Sequence, residues 1–118
     1  MKASIIISVY KNVDMLQLIL ASLRNQTVPV AEVIISEDGE DARMQQFVAS
    51  YDWFCPYQHL TQPDLGWRKN RALNRAVVAA QNEWLIFIDG DCVLHPRFIE
   101  MHMRYAAPNR ILLGKRVK

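Results

Sequence analysis

Trp84-Leu85-Ile86-Phe87-Ile88-Asp89-Gly90-Asp91 is the stretch of this chain that decides the fold. Its apolar run predicts a buried strand, and the two carboxylates lie where that strand reaches the surface. Two acids separated by one residue repel each other unless a cation lies between them, and hard divalent cations prefer carboxylate oxygen. Gly90 removes side-chain bulk, so a ligand can approach the backbone closely. Taken alone, the Asp-x-Asp pattern is as typical of a polar turn as of a metal site.

Strand-like and helix-like segments alternate around this stretch. Apolar and β-branched runs predict strands at residues 3–9, 32–36 and 84–88, a short strand within 53–60, and the start of another at 111–114. Helical spacing predicts helices after Asn12, over 41–51 and over 66–81, and a last helix with Pro96 in its first turn. The third of these helices is expected to bury Leu73, Ala76, Val77 and Ala80. Such alternation predicts an α/β fold, with a mainly parallel sheet and helices on both faces.

Composition limits the classes of function. The chain has 118 residues, of which 51% are hydrophobic and 22% charged, so it can form one domain with a modest core. Its net charge of +2 is too small to indicate binding to nucleic acid. Cys55 and Cys92 lack the spacing of metal ligands and fit a reducing compartment. With neither a signal peptide nor a membrane-length apolar run, the expected location is the cytoplasm, and the cytoplasmic face of the membrane stays open.

Polar residues follow three of the predicted strands. Ligands of open α/β sheets bind beyond the carboxyl ends of the strands, so these residues are expected to share one rim. Tyr10 could pack on a flat base, and Asp38 could accept a hydrogen bond from a base or a sugar. Asp89 and Asp91 could hold a metal against phosphates. Basic residues that could neutralise a diphosphate follow the third strand, namely Arg68, Lys69 and Arg71.

Two familiar phosphate-binding devices are absent from the sequence. It has neither a Gly-x-x-x-x-Gly-Lys loop nor a Gly-x-Gly-x-x-Gly turn after the first strand. A nucleotide would therefore be held through a metal and side chains. The sequence also lacks a serine or cysteine nucleophile in an elbow motif.

Several motifs together resemble the nucleotide-binding part of family 2 glycosyltransferases, which are inverting enzymes of the GT-A fold. The resemblance covers nearly the whole chain. It is carried by residues 5–12, by Leu20, Ser22, Leu23, Gln26 and Thr27, by the Glu37-Asp38-Gly39 tip, by Gly66-Trp67-Arg68 with Arg71 and Asn74, and by 87–96 with its Asp-x-Asp element. The last motif is similar to that of galactosyltransferase-like and chondroitin-polymerase-like members.

The resemblance implies a role for each matched position. Tyr10 and Asp38 would hold the uracil of a UDP-sugar, Asp91 would ligate manganese or magnesium on the diphosphate, and Asp89 would lie near the ribose or sugar and share the metal. Leu73 stands where the family has arginine before Asn74, which shifts the expected diphosphate contacts to Arg68 and Arg71. The remaining expected contacts with the nucleotide-sugar come from Val9, Asn12, Glu37, Gly66 and Gly90.

The implied reaction is transfer of a sugar from a nucleotide-sugar to a glycan or lipid-linked acceptor, as in polysaccharide biosynthesis. Such transfer needs a carboxylate base, which in the family lies well beyond the Asp-x-Asp element. Glu100 is the only acid after Asp91. We therefore expect residues 1–118 to form a donor-binding GT-A domain that is incomplete at its C-terminus, with the base elsewhere. Peripheral membrane association of the full-length protein is a further option.

Two other classes of function stay open at this point. The first is a nucleotide or nucleotide-sugar binding module without catalysis, which the sequence beyond residue 118 would distinguish. The second is a receiver-like α/β interaction domain. That class needs an acidic pair after the first strand, where this chain has Val9-Tyr10, so it is disfavoured.

Overall fold

The computed structural model describes residues 2–63, 69–89 and 93–105. Within these ranges strands and helices alternate. In chain order they are β1 (Ala3–Val9), α1 (Val13–Arg24), β2 (Glu32–Glu37), α2 (Ala42–Ser50), β3 (Tyr57–Leu60), α3 (Lys69–Ala79), β4 (Trp84–Asp89) and α4 (Phe98–Tyr105). The α/β fold class predicted from the sequence is confirmed.

The four strands form one parallel sheet in the order β3-β2-β1-β4. In the register, Ser8 of β1 lies opposite Ser36 of β2 on one side and Asp89 of β4 on the other. All four carboxyl ends therefore point to the same edge of the sheet, as the sequence predicted. This edge is called the carboxyl rim below.

Alternate residues of each strand face opposite sides of the sheet, and each side has its own apolar cluster. On one side Ile5, Ile7, Val33 and Ile35 pack with buried residues of α1, α2 and α4. On the other side Ile6 and Ile34 pack against Ala76 of α3, with Leu60, Leu73, Ala80 and Leu85 at the margin. Helices on both faces leave the strand ends as the natural place for a ligand.

Side-chain caps fix where α1 and α2 begin. Asn12 accepts a hydrogen bond from the Met15 amide at 3.1 Å, and Asp41 accepts one from the Met44 amide at 3.0 Å. Each bond satisfies one of the amides that a helix start leaves unpaired. Both caps belong to the loops that follow β1 and β2, so the two helices begin directly under the carboxyl rim.

Some predicted boundaries were wrong, and so was one residue of the predicted buried face of α3, on which Leu73, Ala76 and Ala80 do pack. Val77 is 42% exposed, whereas Ala72 is buried, because α3 covers β1, β2 and β3 with its small residues. The third helix ends at Ala79 rather than at residue 81, and the last begins at Phe98, two residues after Pro96. Strands β2 and β4 each extend one residue further, to Glu37 and Asp89. The strand predicted at 111–114 lies outside the described residues.

A buried carboxylate ties α3 to the other end of the sheet. Glu32 accepts hydrogen bonds from Ser4 Oγ at 2.7 Å, from the Gln81 amide at 3.1 Å and from Gln58 Nε2 at 3.1 Å. Burial acts to raise the pKa of Glu32, but the three hydrogen bonds together have the larger effect. They hold the pKa below its usual value of 4.5. These three hydrogen bonds thus help to retain the charge inside the protein.

No helix in the described part of the chain combines the length and the apolar character needed to cross a membrane.

Candidate functional site

The carboxyl rim brings together the ends of β1, β2 and β4. Because β1 pairs with both β2 and β4, the loops that carry Tyr10, Asp38 and Asp89 are neighbours along this edge. The Asp38 amide donates to the Val9 carbonyl at 3.2 Å, which joins the first two loops directly. The side chain of Val9 is buried in the core, so what Val9 brings to the rim is its backbone.

Asp38 is a buried carboxylate rather than a solvated loop residue. It is 6% exposed, and its Oδ1 accepts a hydrogen bond of 2.7 Å from Gln62 Nε2. Gln62 follows β3, and its backbone amide donates to the Gly39 carbonyl at 3.4 Å. Sequence reasoning missed Gln62, because nothing in a glutamine before Pro63 indicates a partner that lies 24 residues earlier.

Glu37, the neighbouring acid, faces the opposite side of β2. It is 1% exposed, and its Oε1 lies 2.7 Å from His59 Nε2. Its Oε2 accepts a hydrogen bond from the Asp41 amide at 2.9 Å, at the start of α2. Both oxygens are thus engaged inside the protein. Sequence grouped Glu37 with the ligand contacts, whereas this geometry makes it a brace between β2, β3 and α2.

The loop after β1 presents an aromatic ring beside a cation. Tyr10 is 48% exposed, and Lys11 Nζ lies 5.2 Å from the centre of its ring. Lys11 has a φ of 58°, a left-handed conformation that is uncommon for a residue with a side chain. Such strain is often found where a loop is shaped for binding. Asn12 completes the loop as the cap of α1.

Asp89 is the described member of the Asp-x-Asp pair. It is the last residue of β4, is exposed, and pairs in register with Ser8 of β1. Residues 2–63, 69–89 and 93–105 contain no group of three histidine, cysteine, aspartate or glutamate side chains placed to share a metal. A cation at Asp89 would therefore need oxygen ligands from a bound diphosphate or from Asp91, and hard oxygen donors suit magnesium or manganese.

Helix α3 begins beside the same rim. Arg71 lies in its first turn and Asn74 in the next, and both side chains are exposed. Arg75 Nη1 donates to the Thr61 carbonyl at 2.5 Å, so it fixes the loop that carries Gln62. Four predicted contacts, Gly66, Arg68, Gly90 and Asp91, lie outside the described residues.

Polar residues at the end of α1 hold the segment that follows the Asp-x-Asp pair. Ser22 Oγ accepts from the Leu94 amide at 3.2 Å, and Gln26 donates to the His95 carbonyl at 2.8 Å and accepts from the Ile99 amide at 2.9 Å. The Thr27 amide donates to the Pro96 carbonyl at 2.9 Å. We call Ser22, Gln26 and Thr27 the α1 clamp.

Glu100, the first acid after the Asp-x-Asp pair, belongs to this clamp region. Its Oε1 accepts from Thr27 Oγ1 at 2.9 Å, and its Oε2 accepts from Arg97 Nη2 at 2.6 Å. The Arg97 and Thr27 hydrogen bonds lower its pKa. A low pKa favours the ionised form but weakens a carboxylate as a base, so Glu100 is poorly suited to take a proton at neutral pH.

The parallel sheet with polar loops at its carboxyl rim defines the class: an α/β domain built to hold a ligand at the strand ends. The sequence model described as glycosyl transferase family 2 matches residues 4–118. The chain belongs to that family.

Two curated relatives agree with this assignment. The chain is 28% identical over 116 residues to chondroitin synthase of Escherichia coli, covering 96% of this chain and 17% of that protein. It is 28% identical over 116 residues to validoxylamine A glucosyltransferase of Streptomyces hygroscopicus subsp. jinggangensis, covering 94% of this chain and 28% of that protein. The chain therefore spans less than a third of the length of either relative.

Two solved structures share the fold. TarS of S. aureus superposes with a TM-score of 0.72 at 23% identity, covering 88% of this chain and 19% of that one. CMP:2-keto-3-deoxy-manno-octonic acid synthetase, solved with CTP, superposes with a TM-score of 0.66 at 18% identity, covering 88% of this chain and 46% of that one.

Proposed function

We propose that this chain is the donor-binding part of a metal-dependent inverting glycosyltransferase that uses a UDP-sugar and a glycan or lipid-linked acceptor. The observation that supports the proposal most is the convergence of Tyr10, Asp38 and Asp89 on one rim in a chain of glycosyl transferase family 2. The two relatives are a synthase of a polysaccharide and a glucosyltransferase by name, which supports sugar transfer as the activity of the whole protein.

Base recognition falls to the loops after β1 and β2. The exposed ring of Tyr10 offers a flat surface on which a base can stack. The Asp38 carboxylate would accept the N3–H of uracil. Adenine has no ring N–H to donate at the corresponding edge, so a carboxylate placed there would favour uracil over adenine. This difference in hydrogen bonding is large enough to give selectivity, because a hydrogen bond to a charged group contributes more than one between neutral groups.

The diphosphate would lie toward β4 and α3. Asp89 and Asp91 would hold manganese or magnesium, which stabilises the negative charge of the leaving nucleotide. Arg71 lies on the same side, in the first turn of α3, and can supply further positive charge. The same rim would also suit the alternative function, a binding module without catalysis, because none of its described groups is placed as an acceptor base.

Calorimetry with UDP, ADP and GDP, each with Mn²⁺, tests the proposal. We expect UDP to bind at least tenfold more tightly than ADP, which lacks the ring N–H, and Asp38→Asn to remove most of that preference. Asp52→Asn is the matched control, because Asp52 is exposed and lies after α2, in a loop separate from the rim. Equal affinity for the three nucleotides would reject base recognition by Asp38, and an unchanged affinity on adding a chelator would reject the metal.

Whether the whole protein transfers sugar is a separate measurement. A radiolabelled UDP-sugar supplied with a glycan acceptor reports transfer, and the same donor without an acceptor reports hydrolysis. Transfer by a chain that carries an added acceptor-side segment, together with donor binding but no transfer by residues 1–118, would support the enzyme. Binding without transfer in both would favour the binding module.

A further inference from the structure

Gln62 is a buried polar residue to which neither the sequence motifs nor the family match assigns a role. Its side chain is 4% exposed, and burying an amide costs free energy unless the amide is hydrogen-bonded. Its Nε2 donates to Asp38 Oδ1 at 2.7 Å, which is short for an N–H donor and typical of a bond to a charged acceptor. The amide therefore fixes one oxygen of the carboxylate that we propose reads the base.

The backbone around Gln62 is held from two sides. Its own amide donates to the Gly39 carbonyl at 3.4 Å, directly after Asp38 in the chain. On the other side Arg75 of α3 donates to the carbonyl of Thr61 at 2.5 Å. Because a helix and the tip of β2 both anchor this loop, the position of the glutamine side chain is set by the fold.

We propose that Gln62 is a positioning residue for base selection, which holds the Asp38 carboxylate in the orientation that accepts the N3–H of uracil. The inference rests on the proposed function, in which Asp38 contacts the base. A neutral amide suits this role because it orients the carboxylate and leaves its charge in place. Selectivity for uracil over a base without an N3–H then depends on Gln62 although Gln62 itself need not touch the base.

The test compares UDP with N3-methyl-UDP, in which a methyl group replaces the hydrogen on N3. Calorimetry with Mn²⁺ should show the unsubstituted chain preferring UDP by about tenfold or more, the effect of one hydrogen bond to a charged group. Gln62→Met keeps the side-chain length but cannot donate. It should lower UDP affinity about tenfold and leave N3-methyl-UDP affinity nearly unchanged, so that the ratio falls toward one. Gln45→Met, the same change on the exposed face of α2, should leave both affinities unaltered.

A purely structural role would give a different result. If Gln62→Met weakens both ligands equally, or leaves the ratio intact, the inference is overturned while base recognition by Asp38 still stands. If the unsubstituted chain itself fails to distinguish the two ligands, base recognition in the proposed function fails and the inference falls with it. Should Gln62→Met not fold, Gln62→Leu also lacks a donor and introduces no charge beside Asp38, so the same ratio decides.

Discussion

Replacing Glu32 should reveal how much a buried, hydrogen-bonded carboxylate contributes to the stability of this sheet. Glu32 is the first residue of β2, and its carboxylate joins β1 through Ser4, β3 through Gln58 and the segment after α3 through the Gln81 amide. Gln58 also donates to the Ala79 carbonyl at 3.0 Å, so the network includes the last residue of α3. Loss of the charge should therefore loosen the contact between α3 and the sheet.

The expected loss of stability in Glu32→Gln follows from the three hydrogen-bond donors that face the carboxylate. In Glu32→Gln one carboxylate oxygen becomes an NH₂ group, so at least one of the three donors faces another donor. An unsatisfied buried donor costs about 1–3 kcal/mol. Near 2 kcal/mol, the midpoint of thermal unfolding should fall by roughly 8 °C, taking about 4 °C per kcal/mol for a domain of this size. Glu32→Ala leaves all three donors without the carboxylate and should cost more.

The pH dependence has a definite sign. Because the pKa of Glu32 is below 4.5 in the folded protein, the unfolded chain takes up this proton at a higher pH than the folded chain. The stabilisation is therefore complete above the unfolded pKa and is lost as the pH falls through the folded pKa. Glu32→Gln has no proton to gain here, so the stability gap between the two chains should narrow from pH 6 to pH 3.

Urea unfolding at several pH values between 3 and 7 measures the difference in free energy of unfolding between the unsubstituted chain and Glu32→Gln. Circular dichroism reports whether both chains keep the fold. Glu83→Gln provides the control, because Glu83 is an exposed acid just before β4. Its free energy of unfolding should stay within about 0.5 kcal/mol of the parent at pH 7. A gap for Glu32→Gln that is absent, or that stays constant across this pH range, would refute the account of a charge held by three donors.

Three further measurements test other parts of the molecule. Asp91→Asn should abolish metal-dependent UDP binding in calorimetry and Asp89→Asn should weaken it less, whereas an undiminished metal effect in Asp91→Asn would move the metal site elsewhere. Leu16→Ala, at a fully buried position of α1, should cost about 2–5 kcal/mol in urea unfolding, whereas Leu18→Ala on the exposed face should cost little, and equal losses would contradict the packing. Burial raises the pKa of the Cys55 thiol to about 11. In a chain whose other cysteine is replaced, iodoacetamide should therefore react with Cys55 at pH 8 roughly 100-fold more slowly than with a thiol of pKa 9. A rate equal to that of an exposed thiol would contradict this.

Much of the fold could be predicted from the sequence because the strands are continuous apolar runs and the helix caps are local signals. Asn12 and the strand pattern of residues 3–9 need no tertiary information. The face of α3 was less predictable, since an apolar stripe that includes Val77 is compatible with two orientations. Only the packing of α3 on β1, β2 and β3 selects the one that buries Ala72 and exposes Val77.

The candidate site divides in the same way. Strand ends place Tyr10, Asp38 and Asp89 on one rim, and a parallel topology is sufficient to predict that. The partners of the two acids at the tip of β2 were not predictable. His59 lies in β3 and Gln62 follows it, 22 and 24 residues after Glu37 and Asp38 respectively, and they meet these acids only once the strands pair. One acid is thereby turned inward as a brace and the other is held at the rim.

The α1 clamp shows how residues of a family motif can hold a segment that lies far away in sequence. Ser22 lies in the last turn of α1, Gln26 and Thr27 follow that helix, and nothing in their local sequence indicates a partner. Their hydrogen bonds run to residues 94–100, about 70 positions later, in the segment that follows the Asp-x-Asp pair. The end of β4 sets where Asp89 lies, whereas these polar side chains anchor the segment beyond it. Gln26 therefore does for this segment what Glu37 does for the tip of β2, which Glu37 ties to β3 and α2.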